Sequence, residues 1–536
     1  LYTLKTEVLV GDTVVDTYET EFGFRWTDFN RTTGFELNGV PTKLKGVCMH
    51  HDQGPLGSEA WYRAIERQVE ILKDMGCNAI RVTHNPAAPE LIEIANEKGM
   101  MLLDEAFDMW VMEKNGNVND YSTWFEVEIG EDNAIVGGEP DMTWAEFDIK
   151  AMANQDKNSP AVIMYSLGNE IFEGTANDRA SEYPGIARKL CTWLTEVDNT
   201  RPPTFGQNSN QEAIGKQIGQ IIYKEFGGIS GVNYATTDRL QGWYNLGVPV
   251  YNSETASAVN SRGIYDRKGS QSDKNGDYLL TSYDKSAVGW GAVASEAWWR
   301  TLQLDWSMGE FVWTGFDYIG EPTPWNATGT GKPNNAPTWP APKSSYFGII
   351  DTNGLPKDTY WFYQSQWNED VTTLHMLPTW NEEDVVFGSN HDVEVVVYSD
   401  AAKIELYLND TLVGAAKSVV TTTKAGYTYR TWTSPDSFAG TKNSFSQKSE
   451  DESLYATFWV PYAEGTLKAV AYDAEGNVIE KTEGRSVVKT TDKANKLSLT
   501  ADRSTITADG DDLSYITIDV QDSDGNLVNT DDVAIT

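Results

Sequence analysis

From about residue 43 to 366, short apolar runs alternate with amphipathic stretches. The runs are KLKGVCM, NAIRVT, MMLLDEA, AVIMYSLG, PPTFGQ, GISGVNY, PVYNSE and EFVWTGFD. Ala161 to Ser166, six mostly apolar residues, read as a strand buried on both faces. The stretches between the runs carry helical spacing. In EAWYRAIERQVEILKDMG, Ala64, Val69, Leu72 and Met75 share one face, and Gly76 supplies a C-terminal stop. Eight strand–helix units predict a (β/α)8 TIM barrel.

After residue 368 the pattern shifts to period two. HDVEVVVYSDAAKIELYLNDTLVGAAKS alternates apolar and polar positions, and TLKAVAYDAEGNVIEK does so around a turn. This predicts an immunoglobulin-like β-sandwich over residues 369–490. The same texture starts again over 491–536, as the beginning of a further immunoglobulin-like domain. The opening residues, 1–26, also alternate and read as the remnant of a preceding β-sandwich domain. The barrel is assigned to 27–368. With both ends falling inside sandwich texture, the chain reads as part of a longer protein.

Composition narrows the function. The 79 acidic against 42 basic residues give a net charge of -37, a field that repels phosphate backbones and disfavours nucleic acid as a partner. No run of eighteen apolar residues predicts a membrane span. Cys48, Cys77 and Cys191 are scattered and odd in number, which fits neither a disulfide framework nor a zinc knuckle. The 19 tryptophans suit a carbohydrate binder, whose rings stack on sugar faces, although a core claims most of them.

Barrel enzymes place their chemistry where strands end, at the C-terminal mouth. Three runs end in acids: Asp104–Glu105, Asn169–Glu170 and Glu254. Any one of these could cap a helix or form a rim salt bridge. Glu170 and Glu254, however, end the fourth and seventh strands and could face each other across the mouth. Two such carboxyl groups, one protonated and one ionised, are the machinery of glycoside hydrolysis.

The set GVCMHHD, RVTHNP, DEAFDMW, YSLGNE, NSETASA and FVWTGFDYIGEPTPW resembles glycoside hydrolase family 2, and most closely its bacterial β-galactosidases, over residues 21 to 366. The resemblance implies that Glu170 is the general acid/base and Glu254 the nucleophile of a retaining mechanism, in which the two carboxyl groups lie about 5–5.5 Å apart. It implies that Asn169 holds the sugar 2-hydroxyl and that Tyr234 bonds the nucleophile. His50 and His84 would line the sugar site, with Trp313 as its floor. Asp317 and Trp325 follow closely enough to line the same mouth. Adjacent His50 and His51 point to opposite faces of a strand, which argues against a shared metal ion. Some β-galactosidases of the family hold magnesium beside the acid/base through an acid and a histidine after the third strand. DEAFDMW has no histidine, so no metal and no cofactor is expected.

The resemblance thus implies a retaining exo-β-galactosidase acting on β-galactosides such as lactose or N-acetyllactosamine ends, with transglycosylation as a side reaction. The trailing repeats resemble those of large bacterial surface enzymes, which implies an extracellular or cell-surface location. A family 2 β-glucuronidase is disfavoured. Its Asn-x-Lys motif would fall on KSSYFGIID, which places Ser345 and Phe347 at the Asn and Lys positions. A β-mannosidase specificity stays open. A non-catalytic carbohydrate-binding surface protein is the alternative from another class, and two intact carboxylates argue against it.

Overall fold

A computed structural model describes residues 1–133, 135–174, 178–267, 277–325, 342–433 and 453–529. The chain forms two compact units. One comprises residues 1–51, 78–255 and 300–313, the other 52–77, 256–299 and 314–536.

The first unit contains eight parallel strands that close into a barrel in sequential order. They are β1 Leu44–Met49, β2 Ala79–Val82, β3 Met101–Glu105, β4 Val162–Asn169, β5 Pro203–Gln207, β6 Ser230–Asn233, β7 Val250–Ala256 and β8 Gly309–Trp313. Every one of their residues is buried, which is why they read as apolar runs with no alternation. Helices Pro89–Lys98, Trp144–Asp156, Tyr183–Val197, Glu212–Phe226 and Thr237–Tyr244 link β2 through β7 in succession. Thr143 and Thr236 cap two of them by accepting from Glu146 N–H and Arg239 N–H. Before β1 stand an exposed hairpin, Tyr2–Val10 with Thr13–Phe22, and a small three-stranded sheet over residues 27–41.

In the second unit, helix Tyr62–Asp74 buries Ala64, Val69 and Leu72 on one face, the face that the spacing predicts. It stops at Gly76, whose φ of 92° suits glycine. A Cβ there would also lie 2.4 Å from the backbone nitrogen of Asn368. Further along, a three-stranded sheet runs Leu374–Leu377, Asp392–Ser399, Ala456–Pro461, and a five-stranded sheet is centred on Lys403–Leu408. The two share one core, in which Val393, Val395 and Phe458 meet Ile404, Leu406 and Ala469. A last hairpin pairs Lys496–Ala501 with Ile516–Gln521.

One barrel residue makes stability depend on pH. Glu310 on β8 is fully buried and accepts a hydrogen bond from Thr301 Oγ1 at 2.9 Å. Burial pushes its carboxyl from 4.5 up to about 8, against the pull of Thr301, Thr255 and Lys43. As pH rises above the unfolded value, the unfolded chain gives up this proton while the folded chain keeps it. Stability is therefore lost between about pH 4.5 and 8, by a few kcal/mol for this group. Glu310→Gln should match the parent chain near pH 5 and exceed it by about 2–4 kcal/mol at pH 8.5. Denaturant titration at the two pH values checks this, and a difference that does not change with pH would refute it.

Candidate active site

Arg81 of β2 is wholly buried, and the polar groups bonded to it, Glu105, Asn169 and Glu254, belong with it to the first unit. Its Nη2 donates to Glu105 Oε2 at 2.7 Å and to Asn169 Oδ1 at 3.0 Å, and its Nη1 donates to Glu254 Oε1 at 2.8 Å. The guanidinium has room because β5 carries Gly206 there. A Cβ on Gly206 would lie 2.8 Å from Arg81 Nη2 and 3.1 Å from the side-chain oxygens of Asn169 and Asn233.

Glu105 is the second centre. It accepts from Arg81, from Ser166 Oγ at 2.6 Å and pairs with His84 Nδ1 at 2.5 Å. Burial opposes its ionisation, but Arg81, His84 and Ser166 outweigh burial and hold the carboxyl at about 2. Its neighbour Asp104 does not join the mouth. It accepts from Ala87 N–H at 2.9 Å and faces Asp156, and burial with that second acid pushes it far up.

Glu170 follows β4 directly, at φ 48°, and its N–H is tied to Gly206 C=O at 2.8 Å. Non-glycine residues held in this left-handed region cluster at functional sites. Asn233 Nδ2 donates to Glu170 Oε1 and to Asn169 Oδ1, each at 3.0 Å, and Ser253 Oγ fixes Asn233. Asn169 is pinned on both sides of its amide, because its Nδ2 donates to Asp108 Oδ1 at 3.2 Å. Lys114 Nζ lies 3.2 Å from Asp108 and 3.6 Å from Glu170.

Glu254 on β7 is 3% exposed. Burial pushes its carboxyl up and the charge of Glu170 adds to this, while Arg81, His84 and the Tyr234 hydroxyl pull it back. Tyr234, at φ 51°, is anchored by its N–H to Glu254 C=O at 2.7 Å. His84 and Trp313 stack 5.4 Å apart at 11°, and His50 meets Trp313 edge-on at 5.2 Å. Burial and the neighbouring His84 hold His50 down at about 3, so it is a neutral imidazole. Burial opposes charge on His84, but Asp108 and Glu105 raise it.

The structure thus brings together Glu170, Glu254, Asn169, Tyr234, His50, His84 and Trp313. Asp317 and Trp325 belong to the second unit. Asp317 is engaged with Lys357 Nζ at 2.7 Å and Gly348 N–H at 2.7 Å, and Trp325 packs edge-on against Tyr278 and Tyr346. Sequence reasoning missed Arg81, Asp108, Lys114 and Asn233 as site residues and passed over Glu105. One signal was available, since Arg81 is a lone charge within the apolar run NAIRVT. Among the described residues no cluster of three or more His, Cys, Asp or Glu has the form of a metal site.

Arg81→Met should cost about 3–5 kcal/mol of stability, because two buried carboxylates lose their shared cation. Glu254 would then hold its proton more tightly. Thermal unfolding near pH 7 tests this, and a loss below about 1 kcal/mol would contradict the paired-charge reading.

The family model for the TIM barrel domain of glycosyl hydrolases family 2 matches residues 31–281. The model for glycoside hydrolase family 2 C-terminal domain 5 matches 497–536, and a domain of unknown function matches 390–480. The chain is 32% identical over 569 residues to a β-galactosidase of Bacteroides ovatus, a match over 98% of this chain and 57% of that protein. A Formosa agariphila protein provisionally named β-glucuronidase is 30% identical over 513 residues, with 90% and 41% covered. The crystal structure of a β-glycosidase from Bacteroides vulgatus matches at TM-score 0.73 and 25% identity, over 98% of this chain and 60% of that one. The chain therefore spans less than two thirds of the length of each of these relatives.

Proposed function

Because the chain belongs to glycoside hydrolase family 2, we propose that it is a retaining exo-β-galactosidase acting on terminal β-D-galactosides, with lactose and N-acetyllactosamine ends as substrates. The observation that carries this reading is the unequal setting of two carboxyl groups at one mouth. Glu254 has a cation and a phenol as partners, and Glu170 has an amide and lies beside an ammonium.

In the proposed first step, ionised Glu254 attacks the anomeric carbon while protonated Glu170 gives its proton to the glycosidic oxygen. The bond from that carbon to the oxygen breaks, the alcohol leaves, and a galactosyl ester forms on Glu254. In the second step Glu170 takes a proton from water, the water oxygen attacks the anomeric carbon, and Glu254 leaves as a carboxylate. A sugar hydroxyl in place of water would give transglycosylation. Asn169, fixed by Arg81 and Asn233, is proposed to hold the sugar 2-hydroxyl. His50, His84 and Trp313 would bind the remaining ring, and location outside the cell or on its surface belongs to the same proposal.

A β-glucuronidase reading has the Formosa agariphila relative in its favour. Against it, Phe347 stands where that activity needs a lysine and is a buried apolar residue. Incubation with an activated 2-deoxy-2-fluoro-β-galactoside, digestion and mass spectrometry tests the proposal. A label on Glu254 is the expected result. A label on another acid would overturn the assignment, and reaction only with the matching glucuronic reagent would overturn the substrate.

A further inference from the structure

Lys114 lies in the segment after β3, and its position follows from two features. Asn115 and Gly116 are both left-handed, at φ 54° and 76°, and turn the chain there. Lys114 also pairs as an antiparallel bridge with Gly174, which stitches the segment after β3 to the segment after β4 that begins with Glu170. The ammonium is thereby held among acids. Asp108 is 3.2 Å away and Glu170 3.6 Å away, and Glu254 and Glu173 act on it from farther off. Although burial opposes its charge, these acids keep it firmly protonated. Glu173 is linked back to Glu170 through its own N–H at 3.0 Å and to Asn208 through its carboxylate.

We propose that Lys114 is a positioning residue for the acid/base, a fixed cation that steadies the carboxylate Glu170 becomes when it hands its proton to the leaving alcohol. This rests on the galactosidase reading above. When Glu170 loses its proton it becomes a negative charge beside Asp108 and Glu173, while Glu254 gives up its own charge to the ester. A cation within a few ångströms, partly shielded from water, offsets that charge without having to reorganise. Asp108 couples the device to the sugar, since the same carboxylate oxygen takes Lys114 Nζ and Asn169 Nδ2. A divalent ion has no place between Asp108 and Glu170 while the ammonium stands beside both.

Proton delivery limits the first step only when the leaving alcohol is a poor one, and this gives the test. Lys114→Gln and Lys114→Arg are compared with the parent chain on aryl β-galactosides of graded leaving-group acidity, with labelling by the 2-fluoro reagent alongside. The expected result for Lys114→Gln is a loss on the order of 10–100-fold in kcat/KM for the poorest leaving groups. With a dinitrophenyl leaving group the loss should stay within about threefold, because that step needs little proton transfer. Lys114→Arg should restore most of the loss. An equal loss across all leaving groups, or no recovery in Lys114→Arg, would overturn the proposal and leave Lys114 a structural ion pair. Loss of parental activity to a chelator, restored by magnesium, would overturn it as well. Failure of the parent chain to label on Glu254 would instead strike the galactosidase reading itself.

Discussion

On the proposed mechanism, Glu254→Gln should lose turnover of β-galactosides by a factor on the order of 10⁴–10⁶ while keeping its melting temperature. The catalytic half of this expectation follows from the proposed ester, which an amide cannot form. Losing a group on which the whole covalent route depends has costs of this size in other enzymes. The stability half follows from charge. With Glu254 gone, Arg81 still has Glu105 at 2.7 Å, so a one-to-one ion pair stays inside the barrel. The group removed is one whose ionised form burial opposes. Turnover of an aryl β-galactoside and thermal melting, measured on the same preparation, decide the matter. Residual activity above about 1% of the parent would remove Glu254 from the nucleophile role.

Glu170→Gln should divide substrates by their leaving groups. On lactose, whose leaving sugar needs a proton, the loss should be on the order of 10²–10⁴-fold. On a dinitrophenyl galactoside the first step should run at nearly the parental rate, since a good leaving group departs without help. Water then attacks without a base, so the galactosyl-enzyme accumulates and KM falls together with kcat. Azide, which needs no base, should restore turnover and give β-galactosyl azide, with the same anomeric configuration as the substrate. A uniform loss across leaving groups would remove Glu170 from the acid/base role, and α-configured azide would overturn the retaining mechanism.

The barrel was legible because its strands are buried on both faces, which writes them as apolar runs whatever surrounds them. Glu170 and Glu254 were legible because each ends such a run. The groups that set their charge were harder to read. At Asp104–Glu105 the sequence offers two adjacent acids, which a strand must send to opposite sides. Only the packing decides that Glu105 meets Arg81 while Asp104 meets Asp156. Arg81 stood out as a charge in a dry run, yet its partners lie 24, 88 and 173 residues away along the chain. Lys114 sits in VMEKNGN, which reads as an ordinary polar turn, and nothing local says that the turn folds toward Glu170.

Gly206 carries no functional group and touches no substrate in the proposed mechanism, yet the space it leaves is where Arg81 sits. In a deep mutational scan, position 206 would therefore behave like a member of the active site. Even alanine would press on the guanidinium that sets the charge of Glu254, and larger residues would evict it. The tolerance map of this enzyme would then mark as indispensable a residue whose side-chain contribution is an absent methyl group.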